Sequence, residues 1–200
     1  MFDDTMTHLE EVLTRFNARE ADAESILGEF RKIAETVFFG GYFLVNGETR
    51  IYPVDIEFYL YGEKKKEEPW MQDKKMIHRK TGKEEVPYFP NTGSFFPHTF
   101  GIDVTFENLV QEYRASFLIR SYRKNDEAVE THPTYLWDDL FGEAAFSGSG
   151  LSVIWVDDES GEPKEVCNCT RLNLNEKKGK PDTKPWRYYM KSVEKYLVFK

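Results

Sequence analysis

The chain has 200 residues, with 35 acidic against 27 basic side chains and a net charge of −8. That length suits one domain, and the acid excess excludes a protein whose whole surface clings to nucleic acid, because phosphate binding draws on clustered Lys and Arg. The start is acidic and no apolar run approaches the ~20 residues of a membrane span, so a cytoplasmic protein with no membrane partner is expected.

Residues 4–39 read as helical. Leu9, Val12, Leu13 and Phe16 recur at helical spacing, as do Ile26, Phe30, Ile33, Val37 and Phe38. Asp4 or Thr5 can cap the first helix and Asp22 the second, and Gly40-Gly41 ends the region. Strand signals follow: Tyr42–Val45, closed by the Asn46-Gly47 turn pair, then Arg50–Tyr61. Residues 62–94 read as a long irregular connection, of the kind that is usually functional or mobile. Further strands are predicted at Phe100–Phe106, Tyr113–Tyr122, Leu151–Val156, Val166–Leu174, Trp186–Tyr189 and Tyr196–Phe199, with a short helix at Thr134–Phe141. Helices first and an irregular, mostly antiparallel sheet afterwards make an α+β pattern, with an N-terminal helical segment over 1–41 and the α+β domain over 42–200.

Several features are excluded as sites. Cys167 and Cys169 are too close in sequence for an ordinary disulfide and supply half of a zinc site, so they read as strand thiols in a reducing compartment, and no metal or cofactor is expected. Gly148-Ser149-Gly150 lacks the Lys and helix start of a phosphate cradle. Asp157-Asp158-Glu159 has the wrong spacing for a calcium loop. Two lysine-rich stretches, around 64–83 and 177–187, read either as a local basic face or as solvated loops.

Two strands carry chemistry. In Asp55-Ile56-Glu57-Phe58-Tyr59-Leu60, alternation puts Ile56, Phe58 and Leu60 on the core face and Asp55, Glu57 and Tyr59 on the other. That second face is a polar site or simply solvent-exposed. In Ser116-Phe117-Leu118-Ile119-Arg120, an apolar run ends on Arg. An Arg120 beside Glu57 would hold the carboxylate ionised and oriented.

In order along the chain, six segments resemble the alkyladenine (3-methyladenine) DNA glycosylases. Glu57-Phe58-Tyr59 resembles that family's Glu-Ala-Tyr motif, and His78 a loop His. Phe100-Gly101-Ile102 is similar to its Tyr-Gly-Met segment, and Phe117-Leu118-Ile119-Arg120-Ser121 to its Val-Leu-Leu-Arg-Ala strand. Thr170-Arg171-Leu172-Asn173-Leu174 resembles its Arg-Ile-Gly-Ile strand, and Pro185-Trp186-Arg187-Tyr188-Tyr189 its Pro-Trp-Arg-Phe-Tyr ending. The likeness spans roughly residues 50–200.

The resemblance implies a metal-independent N-glycosylase acting on a modified purine in nucleic acid. Glu57 would activate the water, and Arg120 would hold the carboxylate and contact a phosphate of the extruded nucleotide. Tyr59 and His78 would meet the base, and Phe100 would wedge into the duplex. Arg187 would be a second phosphate contact. Where the family has an Asn at the base edge, Glu107 or Asn108 lies nearby. The family's Gly-Pro-Gly-Lys/Arg-Leu segment is replaced by Thr131-His132-Pro133-Thr134-Tyr135-Leu136, followed by Asp138 and Asp139. Those acids leave open a protein of the same fold that binds a nucleotide or base, or another protein, without catalysis or without DNA; a third alternative is hydrolysis of a free nucleoside.

Overall fold

A computed structural model describes residues 6–16, 23–62, 76–77, 84–85, 92–106, 113–141, 150–158, 164–172 and 183–199. Helix α1 (His8–Arg15) starts on Thr7, whose side chain accepts from the Glu10 N–H while Glu10 reaches back to the Thr7 N–H at 3.1 Å. This capping box supplies two otherwise orphaned donors with partners. Asp4, Thr5 and Asp22, the expected caps, lie outside the described residues. Helix α2 (Ala23–Phe39) buries Ile26, Phe30, Ile33, Ala34, Val37 and Phe38, one stripe at helical spacing. Its outer side is laced by Arg31–Glu35 and Glu29–Lys32 pairs.

The chain then turns into strand β1 (Gly41–Val45). Gly41 is required there: a Cβ would stand 2.1 Å from the Val156 carbonyl oxygen, because the strand Val153–Asp157 passes directly against the backbone. Asn46 and Gly47 both take positive φ (51° and 76°) and reverse the chain into the long β2 (Thr49–Gly62). Within the predicted irregular connection, two-residue strands β3 (Met76–Ile77) and β4 (Glu84–Glu85) pair with each other. Strands β5 (Phe95–His98), β6 (Gly101–Thr105) and β7 (Tyr113–Lys124) follow, then β8 (Val129–Glu130), absent from the sequence expectation. Helix α3 (Tyr135–Phe141), β9 (Val153–Asp157), β10 (Val166–Cys169) and β11 (Arg187–Met190) complete the described elements.

Nine strands form one antiparallel sheet in the order β10-β11-β2-β7-β6-β5, with β1 bridging β2 to β9 and β8 paired to β7. The α+β class is as expected. Ile56, Phe58 and Leu60 face the helices. Phe30 of α2 stacks on Phe58 at 4.2 Å between centroids, and Phe16 meets both Phe30 and Phe106. Helices and sheet therefore share one core. Among the described residues no helix is long and apolar enough to cross a membrane.

Two predicted strands are corrected. Tyr196–Phe199 is not a strand. Residues 191–196 form a 3-10 helix, and the Val198 carbonyl accepts from Arg187 Nη1 at 2.8 Å while Phe199 packs over the same guanidinium. A side chain therefore holds the tail, where a ladder was expected. Strand β10 stops at Cys169 instead of running on through Leu172, because Arg171 and Leu172 turn in to bond β2, as described next.

Candidate active site

The face of β2 away from the helices is not solvent-exposed. Asp55 and Glu57 are both 0% exposed. Cross-strand partners share a face, so the register lays out one row across the sheet: Cys169, Arg187, Glu57, Leu118, Asp103 and Phe96. A second row sets Tyr59 beside Ser116 and Thr105. The β2–β7 register shifts on both sides of Asp55, after Pro53. Such irregularities locally re-aim side chains next to functional sites.

Glu57 is gripped by three donors. Tyr59 donates its hydroxyl to Oε2 at 2.9 Å, Arg120 Nη1 donates to the same oxygen at 3.2 Å, and the Leu172 N–H donates to Oε1 at 2.8 Å. Burial pushes the carboxyl above the ordinary glutamate range, while Arg120, the Leu172 N–H and the Tyr59 hydroxyl pull it back and Asp55 adds a further upward push. Tyr59 in turn is raised well above the usual phenol, by burial and then by Glu57. The Tyr59 ring is also held by Arg171, whose guanidinium lies 5.3 Å from its centroid and 5.0 Å from that of Trp186. Arg171 Nη1 donates to the Phe58 carbonyl at 3.0 Å. Arg171 and Leu172 thus fold over the site as one unit.

Arg120 is the partly open member, with 16% of its side chain exposed. Among the described residues it makes one hydrogen bond, through Nη1, so its remaining donor edge can meet an anion. Arg187 is different. It forks onto Asp55 through Nε (2.9 Å) and Nη2 (2.6 Å) and is 2% exposed. The expected phosphate contact by Arg187 is corrected on this ground: a buried guanidinium committed to Asp55 and the Val198 carbonyl cannot reach a backbone phosphate. Ser121 Oγ completes the Asp55 shell at 3.3 Å. The nearby Cys169 thiol is pushed up to about 11 by burial, which makes it a poor nucleophile.

Phe100 lies on the β5–β6 turn and is 73% exposed, the most exposed of the large apolar side chains among the described residues. Gly101 follows at φ +142°, packed so that a Cβ would fall 2.9 Å from Leu118 Cδ1 and 3.1 Å from Pro133 Cβ. Asp139 is turned inward, accepting from the Tyr122 hydroxyl at 2.5 Å and Lys124 Nζ at 2.8 Å, so of the two acids on α3 only Asp138 faces solvent. His78, Glu107 and Asn108 lie outside the described residues.

The structure therefore brings together Glu57, Tyr59 and Arg120, sets Phe100 apart on an exposed turn, and removes Arg187 from the surface. Arg171, the Leu172 N–H and the Asp103 row were not assigned from sequence. The one signal for Arg171 was a charged residue inside the predicted strand Val166–Leu174. Among the described residues no three His, Cys, Asp or Glu side chains gather as a metal site would require. Compared with protein-family models, curated proteins and solved structures, the chain finds no match.

Proposed function

We propose that this face is a hydrolytic site in which Glu57 acts as a general base on water. The observation that carries it is the buried Glu57 carboxyl, fixed by three donors yet pushed upward by burial. A base of raised proton affinity that is still ionisable is the state such catalysis needs. The reaction class we infer is cleavage of an N-glycosidic bond, with the modified purine leaving as the free base. Water, deprotonated by Glu57, adds to the anomeric carbon as the carbon–nitrogen bond breaks. A positively charged alkylated purine departs with the bonding pair and needs no proton. Arg120 would hold the carboxylate and steer the flanking phosphate through its open edge.

The particular reading is a divergent relative of the alkyladenine DNA glycosylases that acts on an extruded nucleotide. It is supported by six ordered sequence segments and by the exposure of Phe100, since an apolar ring on a rigid turn suits a wedge. Release of base from alkylated duplex DNA by the native chain, lost in Glu57→Gln, tests it. The acid excess, with Asp138 exposed on α3, favours a second reading: binding of a base or nucleotide without catalysis. It requires weak duplex binding with little salt dependence.

A further inference from the structure

His98 ends β5, and its two ring nitrogens are both engaged. The Phe100 N–H donates to Nδ1 at 3.2 Å, and Nε2 stands 2.9 Å from Asp103 Oδ1. A nitrogen that accepts an N–H carries no proton, so the neutral ring holds its hydrogen on Nε2 and donates it to the carboxylate. Asp103 is fixed from the other side, where Ser116 Oγ donates to Oδ2 at 2.7 Å in a buried bond. Ser116 is the cross-strand partner of Tyr59, which holds Glu57. The indole N–H of Trp137 donates to the His98 carbonyl at 3.4 Å, pinning the same turn from α3.

We infer that His98 is a positioning residue: with Asp103 setting its tautomer, it clamps the backbone of the turn that displays Phe100. Phe100 is largely exposed and its ring meets the His98 ring at 6.2 Å between centroids, so the turn backbone and His98 together place it. That backbone is fixed on one side by the His98 Nδ1 acceptor and on the other by Gly101 wedged against Leu118 and Pro133. Ser116, Asp103 and His98 then tie the turn to the strand beside the Glu57 site. The functional consequence rests on the reading of Phe100 as a wedge, whereas the clamp itself does not.

The test begins on the full native chain. Long-range nitrogen–proton correlation of the histidine rings reports the tautomer directly, and His98 is expected as Nε2–H, while an Nδ1–H ring overturns the inference. Next, exchange of the Phe100 amide is compared in two variants. His98→Leu has no acceptor and is expected to speed exchange about tenfold, the loss of one ordinary hydrogen bond. His98→Asn restores an acceptor two residues before the amide, as in an Asx turn, and is expected to recover protection. Unchanged exchange in His98→Leu overturns the clamp, and so does a failure of His98→Asn to differ from it. In base-release assays, His98→Leu should mimic Phe100→Ala, slowing release from duplex and sparing single-stranded substrate. If the amide is clamped while Phe100→Ala leaves duplex release untouched, the clamp stands and the wedge reading fails.

Discussion

Arg120 donates to Glu57 Oε2 at 3.2 Å across 63 residues of sequence, and the two meet only because β2 and β7 are neighbours in the sheet. Glu57 is fully buried and Arg120 is not. The pair therefore joins a buried carboxylate to a guanidinium that is partly exposed. A buried carboxylate without partners would simply stay protonated. Arg120, the Leu172 N–H and the Tyr59 hydroxyl each oppose the upward push of burial on Glu57.

A pH dependence follows with a definite sign. Glu57 in the fold lies above the ordinary glutamate value of 4.5. Its contribution to stability is then fully present below 4.5 and is lost as pH rises through the folded value. Activity runs the other way, because the base must be ionised, so base release should climb with pH through an inflection above 4.5. Tyr59→Phe removes a donor that pulls Glu57 down, and should move that inflection higher. Single-turnover release across pH checks both, and an inflection that Tyr59→Phe lowers would contradict the assignment of the hydrogen bond.

Phe100→Ala separates function from fold. The side chain is 73% exposed, so stability should change by no more than about 0.5 kcal/mol. Release from duplex substrate should fall while release from single strands holds. Denaturant midpoints and parallel assays on the two substrates read the two effects apart.

Arg187 should behave as a structural residue. Arg187→Ala leaves Asp55 buried without its partner and is expected to cost about 3–5 kcal/mol of unfolding free energy. Replacing both members, Asp55→Leu with Arg187→Met, should recover most of that loss, because the uncompensated charge is gone. A double variant as unstable as Arg187→Ala would show that packing of the tail at Val198 and Phe199, not the charge, sets the cost.

The N-terminal helices should be indispensable to the sheet. Phe30 stacks on Phe58 at 4.2 Å, and Phe30→Ala is expected to destabilise by about 3–5 kcal/mol. Lys32→Ala, on the exposed side of the same helix, should stay within about 0.5 kcal/mol. Urea unfolding of both variants makes the comparison.

Much of the fold was legible because periodicity reports burial. The stripe from Ile26 to Phe38 and the alternation of Ile56, Phe58 and Leu60 both locate the core. Asn46-Gly47 marks its turn for a backbone reason, positive φ. The polar face was harder to read. Alternation separates Glu57 from Phe58 but is silent on whether the second face meets water or protein, and here Arg171 and Leu172 close over it. The tail misled in a similar way. Leu197, Val198 and Phe199 look like a strand, yet a buried arginine supplies the partner for Val198. The Asp103–His98 bond was invisible for another reason, since a histidine beside a proline reads as a loop residue until the register of β5 against β6 is known.

The most direct test of the Glu57 site is single-turnover base release from an alkylated duplex, with substrate binding measured alongside, for the native chain and Glu57→Gln. Glutamine keeps the shape and loses the base. Binding should be retained within a few fold while release falls by about a hundredfold or more, the usual contribution of a general base. Equal release by both proteins, or release by neither across alkylated purine substrates, would contradict the proposed role of Glu57.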